Sequence, residues 1–160
     1  MTRGGTTAAI EKILLVEYYY RGRLVLAHYS PHHWYETDVY SITPSRYAHE
    51  VEVKIDRGDY RRELTDKRYK HQILSGAIER TSERVPRTFS FATPPDLIGP
   101  DEVPDYAGLI YVNKEAPWSE QVRVVKQAPV LDSEKLSQGQ LMALLRRYAQ
   151  TYVRSIDVRP

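Results

Sequence analysis

The chain has no cysteine among its 160 residues, which excludes a disulfide scaffold, a thiolate metal site and a cysteine nucleophile. No apolar run approaches the roughly 18 residues that a membrane-crossing helix needs, and the first residues lack the apolar core of a secretion signal. A membrane is therefore not an expected partner. The expected setting is the cytoplasm of a bacterial cell, a phage-encoded chain included. There is no phosphate-cradling glycine loop and no G-x-S-x-G elbow, so nucleoside-triphosphatase and serine-hydrolase readings lack support. Neither sign of charge dominates: 23 Lys and Arg stand against 21 Asp and Glu. Nucleic-acid binding must therefore be argued from local clustering. Phenylalanine is scarce, with two residues against 13 tyrosines. Tyrosine joins an apolar body to a hydroxyl, which suits half-buried surfaces and contact surfaces alike.

What is present fits one soluble domain over 1–160, with 41% hydrophobic and 28% charged residues. Thr7 to Tyr20 reads as a helix with Thr6 or Thr7 as cap and Gly22 just beyond its end. Leu24–Ala27 reads as a short strand and Ser30–Tyr35 as a loop. The turn signal Thr43-Pro44-Ser45-Arg46 separates two alternating segments, about 36–43 and 48–55, which read as a β-hairpin. Residues 56–78 look largely helical, with Asp59 a cap and Gly76 an interruption. Thr88–Ala92, Gly108–Val112 and Gln121–Lys126 read as strands, with a proline-rich irregular connection over 94–105. Ser137-Gln-Gly-Gln140 matches a capping box and opens an amphipathic helix, about 137–155. The order predicts an α/β domain with a mixed central sheet.

The hairpin carries the chemistry. Centring its turn near Pro44 or Ser45 places Asp38 opposite a residue between Val51 and Val53. Side chains alternate along a strand, so Glu50, Glu52 and Lys54 share one face, and Val51, Val53 and Ile55 the other. Burial of the valine face would gather the acids and the lysine on the opposite side. Two carboxylates with hard oxygen donors suit Mg²⁺ or Mn²⁺, which activates water and offsets negative charge on a phosphodiester. Asp38 and Glu52 are the expected ligands, with the Val53 carbonyl as a third. Lys54 is expected to position or activate the water and to offset phosphate charge. The plainer alternative is a solvated strand face whose charges pair with one another. Glu17 is expected as an additional metal-shell acid, because its helical phase groups it with Ile10, Ile13 and Leu14, with Glu11 the lesser substitute.

Downstream lie Lys54, Arg57, Arg61, Arg62, Lys67, Arg68 and Lys70 against Asp56, Asp59, Glu63 and Asp66. Arg57, Arg61, Arg62, Lys67, Lys70 and His71 are the candidate contacts to DNA phosphates. Intrahelical pairs such as Asp59–Arg62 and Glu63–Lys67 are the competing account. His28, His32 and His33 form no recognised zinc spacing and read as part of a polar loop, with His33 or Trp34 near the mouth of the site. Tyr18-Tyr19-Tyr20 reads as core packing rather than base stacking.

On these residues the chain resembles the PD-(D/E)xK, restriction-endonuclease-like superfamily, and in particular small bacterial and phage proteins of the MmcB-like DNA repair type. The run Glu50-Val-Glu-Val-Lys-Ile-Asp-Arg-Gly-Asp-Tyr60, preceded by the strand bearing Asp38, carries the likeness. Pro94-Pro-Asp-Leu-Ile98 and Glu102-Val-Pro-Asp-Tyr-Ala-Gly-Leu-Ile-Tyr-Val112 add to it. The resemblance implies an αβββαβ core over about 7–130, extra C-terminal strands and a C-terminal helix. It also implies that Asp38, Glu52 and Lys54 form the motif, with Thr37 in place of its proline. The implied activity is metal-dependent cleavage of DNA, and a homodimer is the arrangement by which such enzymes often cut both strands. The alternatives are a nuclease-fold protein that binds DNA without cutting it and a phage accessory protein that acts on a host partner. An exposed tyrosine patch away from the hairpin is the expected sign of the last.

Overall fold

Two periodicities organise the structure, a computed structural model that describes residues 3–31, 33–79 and 85–156. Segments that alternate every second residue form one sheet, and segments with a helical stripe cover its faces. Helix α1 (Arg3–Tyr20) is followed by β1 (Leu24–Tyr29), β2 (Thr37–Ile42) and β3 (Ala48–Val53). Next come α2 (Arg57–Asp66), α3 (Arg68–Leu74), β4 (Thr88–Thr93), β5 (Ala107–Val112), β6 (Val122–Lys126) and α4 (Gln138–Ser155). The fold among the described residues is thus mixed α/β, with four α-helices and a six-stranded mixed sheet in the order β1-β2-β3-β4-β5-β6.

β1, β2 and β3 are antiparallel neighbours. Pairing of β3 with β4 is parallel, because α2 and α3 carry the chain back to the start of the sheet. β5 also runs parallel to β4, after the proline-rich connection and its short 3₁₀ turn at Pro100–Glu102, and β6 closes the sheet antiparallel. All six residues of β5 are buried, which explains its continuous apolar run: both of its faces are covered.

On one face, Ile10, Leu14 and Tyr18 of α1 pack against Val39, Val51 and Val53 of the hairpin. The other face carries Phe89, Phe91, Leu109 and Tyr111 with Tyr60 of α2 and Leu74 of α3. Leu144 of α4 joins Tyr40 and Ile42 in a third cluster. The capping box of α4 is formed: the Ser137 hydroxyl accepts from the Gln140 N–H, and the Gln140 side chain accepts from the Ser137 N–H. At the sheet margin, the Val25 N–H of β1 donates to the Tyr148 hydroxyl of α4 at 2.7 Å.

Three local expectations change. α1 starts at Arg3, so Thr6 and Thr7 lie inside it rather than capping it. Asp56, not Asp59, caps α2: its carboxylate accepts from the Asp59 N–H. The helical stretch after the hairpin is also broken at Lys67, so α2 and α3 do not share one helical phase. Among the described residues, no helix is long and apolar enough to cross a membrane.

Candidate functional site

The hairpin register pairs Val39 with Val51, so one step further along β2 and β3 brings Asp38 opposite Glu52. Asp38 Oδ2 accepts the Val53 N–H at 2.7 Å, which fastens the first strand's acid to the second strand. Thr37, beside Asp38, is fully buried, and its hydroxyl lies 3.3 Å from the carbonyl oxygens of Val39 and Val51. Asp38, Val53 and Lys54 line a cleft of about 330 Å³, together with Thr7 of α1 and Glu63 and Lys67 from the end of α2.

The glutamates of β3 are not a solvated face. Glu50 and Glu52 are each 1% exposed. Lys70 of α3, with no exposed surface, sits 2.7 Å from Glu50 and 2.8 Å from Glu52. Lys54 Nζ lies 3.0 Å from Glu63 and 3.4 Å from Glu52, and Lys67 Nζ lies 3.0 Å from Glu63 and 3.5 Å from Glu52. Trp34 donates its indole N–H to Glu50 at 2.7 Å, so it closes the buried side of the network. A carboxylate out of water is tolerated only when its lone pairs meet such donors.

The electrostatics follow from this packing. Burial and the neighbouring Glu52 push the Asp38 carboxyl up to about 6, with Glu11 adding to the effect and the Val53 N–H and Lys54 opposing it. Burial alone would lower the Lys54 ammonium, but Glu52 and Glu63 outweigh it and the net shift is upward. Lys70 is likewise raised, because Glu50 and Glu52 outweigh its burial. Burial would raise Glu63, yet the His71 contact and the three lysines hold it well below the usual carboxylate range.

The Asp38 shift has a thermodynamic consequence. A carboxyl whose folded-state value is raised binds its proton more tightly in the folded chain. That advantage is present below about pH 4 and is lost as pH rises toward 6. Asp38→Asn keeps an oxygen for the Val53 N–H and removes the charge. Metal-free Asp38→Asn is therefore expected to be more stable than wild type at about pH 7.5, by roughly 1–2 kcal/mol, and no more stable at about pH 3.5. Urea unfolding at the two pH values checks this, and an equal difference at both would contradict the crowded-carboxylate account.

Of the two acids of α1, Glu11 is the one placed beside Asp38. Glu17 lies near the other end of α1 and pairs with Arg21 at 2.6 Å. Glu11, 8% exposed, meets His28 of β1 at 3.3 Å, and ligand atoms of Glu11, His28 and Asp38 all lie within 4.8 Å of one another. His28 therefore lies on β1 beside Glu11 and Asp38 rather than in a polar loop. His32 lies outside the described residues.

The expected phosphate contacts divide. Lys70 is fully buried and His71 is 6% exposed, with its Nδ1 2.9 Å from the Tyr106 hydroxyl; neither can reach a DNA backbone. Lys67 lies on the cleft wall within the acidic network. Arg57, Arg61 and Arg62 are exposed on α2. Arg57 pairs with Glu102 and Arg62 with Asp59, so the intrahelical account holds for Arg62. Of the three tyrosines ending α1, Tyr18 is buried, whereas Tyr19 and Tyr20 are 65% and 76% exposed.

No protein-family model matches the chain. No curated protein matches it either. Among solved structures it is similar to the SPO1766 protein of unknown function from Silicibacter pomeroyi, with a TM-score of 0.61 and 16% sequence identity. That likeness covers 98% of this chain and 90% of the other. At this identity it shows the fold alone.

Proposed function

We propose that the chain is a metal-dependent DNA endonuclease or DNA-repair nuclease with a restriction-endonuclease-like PD-(D/E)xK core. One observation carries the reading. Five clustered carboxylates, Glu11, Asp38, Glu50, Glu52 and Glu63, face three ammonium groups, Lys54, Lys67 and Lys70, before His28 is counted. The ionised cluster has an excess of two negative charges, which a divalent ion such as Mg²⁺ or Mn²⁺ neutralises, and Asp38 and Glu63 bring it to the wall of an open cleft. Burial is the main cause that raises Asp38; Glu52 and Glu11 add to it, and that added part is the same excess seen from one carboxyl.

Such an ion supplies Lewis-acid charge for the phosphate and an activated water. The chain's own residues do the rest. Asp38, tied to β3 through Val53, and Glu11 offer hard oxygen donors from two different elements. Lys54, fixed by Glu52 and Glu63, keeps its proton and presents positive charge to the cleft, so it stabilises a phosphate rather than abstracting a proton. Arg62 lines the cleft and Arg61 is exposed next to it on α2, where an extended phosphate backbone is accessible to them.

A second reading, a binding protein that acts on a partner without cleavage, is favoured by a different surface. Tyr20 packs edge-on against Tyr19 and against Trp118, and all three rings are at least half exposed, away from the hairpin. Incubation of plasmid and branched DNA with the protein in Mg²⁺ or Mn²⁺, with EDTA as control, separates the two. Cleavage that EDTA abolishes is the expected result. DNA binding without metal-dependent cleavage on any substrate would leave the binding protein as the reading.

A further inference from the structure

We infer that the ion is held by Glu11, His28 and Asp38, beside the cleft that Asp38 lines, and that the imidazole selects a transition ion such as Mn²⁺ over Mg²⁺. The inference rests on the metal-dependent reading and deepens it by naming the ligands and the class of ion.

Glu52, the acid expected to share the ion with Asp38, is already engaged. Its Oε1 faces Lys70 and Lys67, at 2.8 and 3.5 Å, and its Oε2 faces Lys54 at 3.4 Å. Glu11 is in the opposite situation. It is buried, yet among the described residues His28 is its one basic partner. Asp38 stands between the two sets, held at Oδ2 by the Val53 N–H.

The spacing fits coordination. Donors about 2.1 Å from one ion lie about 3.0 Å apart when adjacent in an octahedron and about 4.2 Å apart when opposed. Glu11 Oε2 and His28 Nε2 are 3.3 Å apart, and the three residues' ligand atoms fall within 4.8 Å of one another. The 3.3 Å pair is already near the adjacent spacing, and the widest separation needs side-chain movement of about 0.6 Å or more to reach even the opposed one. The three donors come from α1, β1 and β2, so the fold holds them independently of one another.

His28 reaches the set through its backbone. Leu26, two residues earlier, packs toward the α4 cluster, and strand alternation would send His28 the same way. Its φ of +49° breaks the alternation, and the ring meets Glu11 of α1 instead. Behind the ring, the exposed Glu36 lies 3.9 Å from Nδ1, beyond hydrogen-bond distance but on the side opposite Glu11, so Nε2 is the nitrogen left for the ion. Mg²⁺ demands oxygen donors and sheds water reluctantly, whereas an imidazole with carboxylates suits Mn²⁺ and the later first-row ions.

The test uses the whole chain and Mn²⁺ alone, without DNA. Pulsed electron paramagnetic resonance of the Mn²⁺-loaded protein is expected to show modulation from a directly coordinated ¹⁴N. His28→Ala is expected to lose that modulation and to weaken Mn²⁺ binding by more than about tenfold, with Mg²⁺ affinity changed by less than about threefold. Glu11→Gln is expected to weaken Mn²⁺ while keeping the ¹⁴N signal, and it serves where His28→Ala does not fold. Bound Mn²⁺ without ¹⁴N coupling in wild type overturns the ligand assignment, even where DNA is cleaved. Absence of Mn²⁺ binding overturns it as well. Intact ¹⁴N coupling with no cleavage of any DNA overturns the nuclease reading and leaves the metal site standing.

Discussion

Lys54→Ala is expected to lower metal-dependent DNA cleavage by about two to three orders of magnitude while leaving DNA affinity within about twofold. The asymmetry follows from where the ammonium sits. It is held in a partly dry cleft by Glu63 and Glu52, at 3.0 and 3.4 Å, and both keep it protonated. On the proposed nuclease reading, charge that develops on the phosphate in the transition state would meet a preorganised cation there, with an effect greater than in water. Ground-state affinity would be shared with the exposed arginines of α2 and so change little. The fold survives because Glu63 and Glu52 retain Lys67, at 3.0 and 3.5 Å. Single-turnover cleavage and equilibrium binding of the same DNA, on wild type and variant, check both halves. Equal residual cleavage in both proteins would point to a contaminating nuclease and remove the support for Lys54.

Lys70→Met is expected to destabilise the protein by about 3–5 kcal/mol, which at this chain length lowers the melting temperature by roughly 10 °C. Methionine matches the length of the lysine stem, so the loss is electrostatic rather than a cavity. Lys70 is fully buried between Glu50 and Glu52 and lies 4.8 Å from the centre of the Phe89 ring. Its removal leaves two carboxylates in the interior with reduced compensation. Glu50→Gln and Glu52→Gln added to Lys70→Met remove those charges and are expected to recover about half of the loss or more. Urea unfolding of the single and triple variants measures this. A single variant within about 1 kcal/mol of wild type would show that Lys70 is not the counter-charge of these glutamates.

The outcome at Lys70 shows where the sequence is legible. Period-two alternation and the turn at Pro44 locate the hairpin and its register, so Asp38 falls opposite Glu52 as its spacing requires. The same alternation puts Glu50 and Glu52 on one face, but it does not say that α2 and α3 cover that face. Even on a continuous helix, Lys70 and His71 lie within about 20° of the buried Glu63 and Tyr60, so phase alone points them inward. Their basic character, not their phase, makes them look like solvent-facing phosphate contacts. Phase favours Glu17 as the acid of α1, because it lies between Ile10 and Ile13, whereas Glu11 lies about 120° away beside Tyr18. The two also differ in height along the axis, about 9 Å for six residues, and which one comes near Asp38 depends on how α1 lies across the hairpin. His28 was hidden by its left-handed backbone, for which the Ala27-His28-Tyr29 segment offers no glycine as a signal. The positions of Thr6, Thr7 and Asp59 near helix starts are legible as capping chemistry; which acid accepts the N–H is decided by one residue of register.

The bond between Val25 and Tyr148 has a bearing on how the chain is made. β1 is the margin of the sheet, and an uncovered margin presents backbone groups that recruit strands from other molecules. The hydroxyl that occupies one of those groups lies 123 residues later in the chain. During synthesis, the first three strands emerge and pair long before their guard exists. The nascent chain therefore passes through a sticky interval that ends only when α4 docks. A stall or frameshift before Tyr148 would release a sheet whose border is open to its neighbours, and chaperone demand should concentrate on that interval.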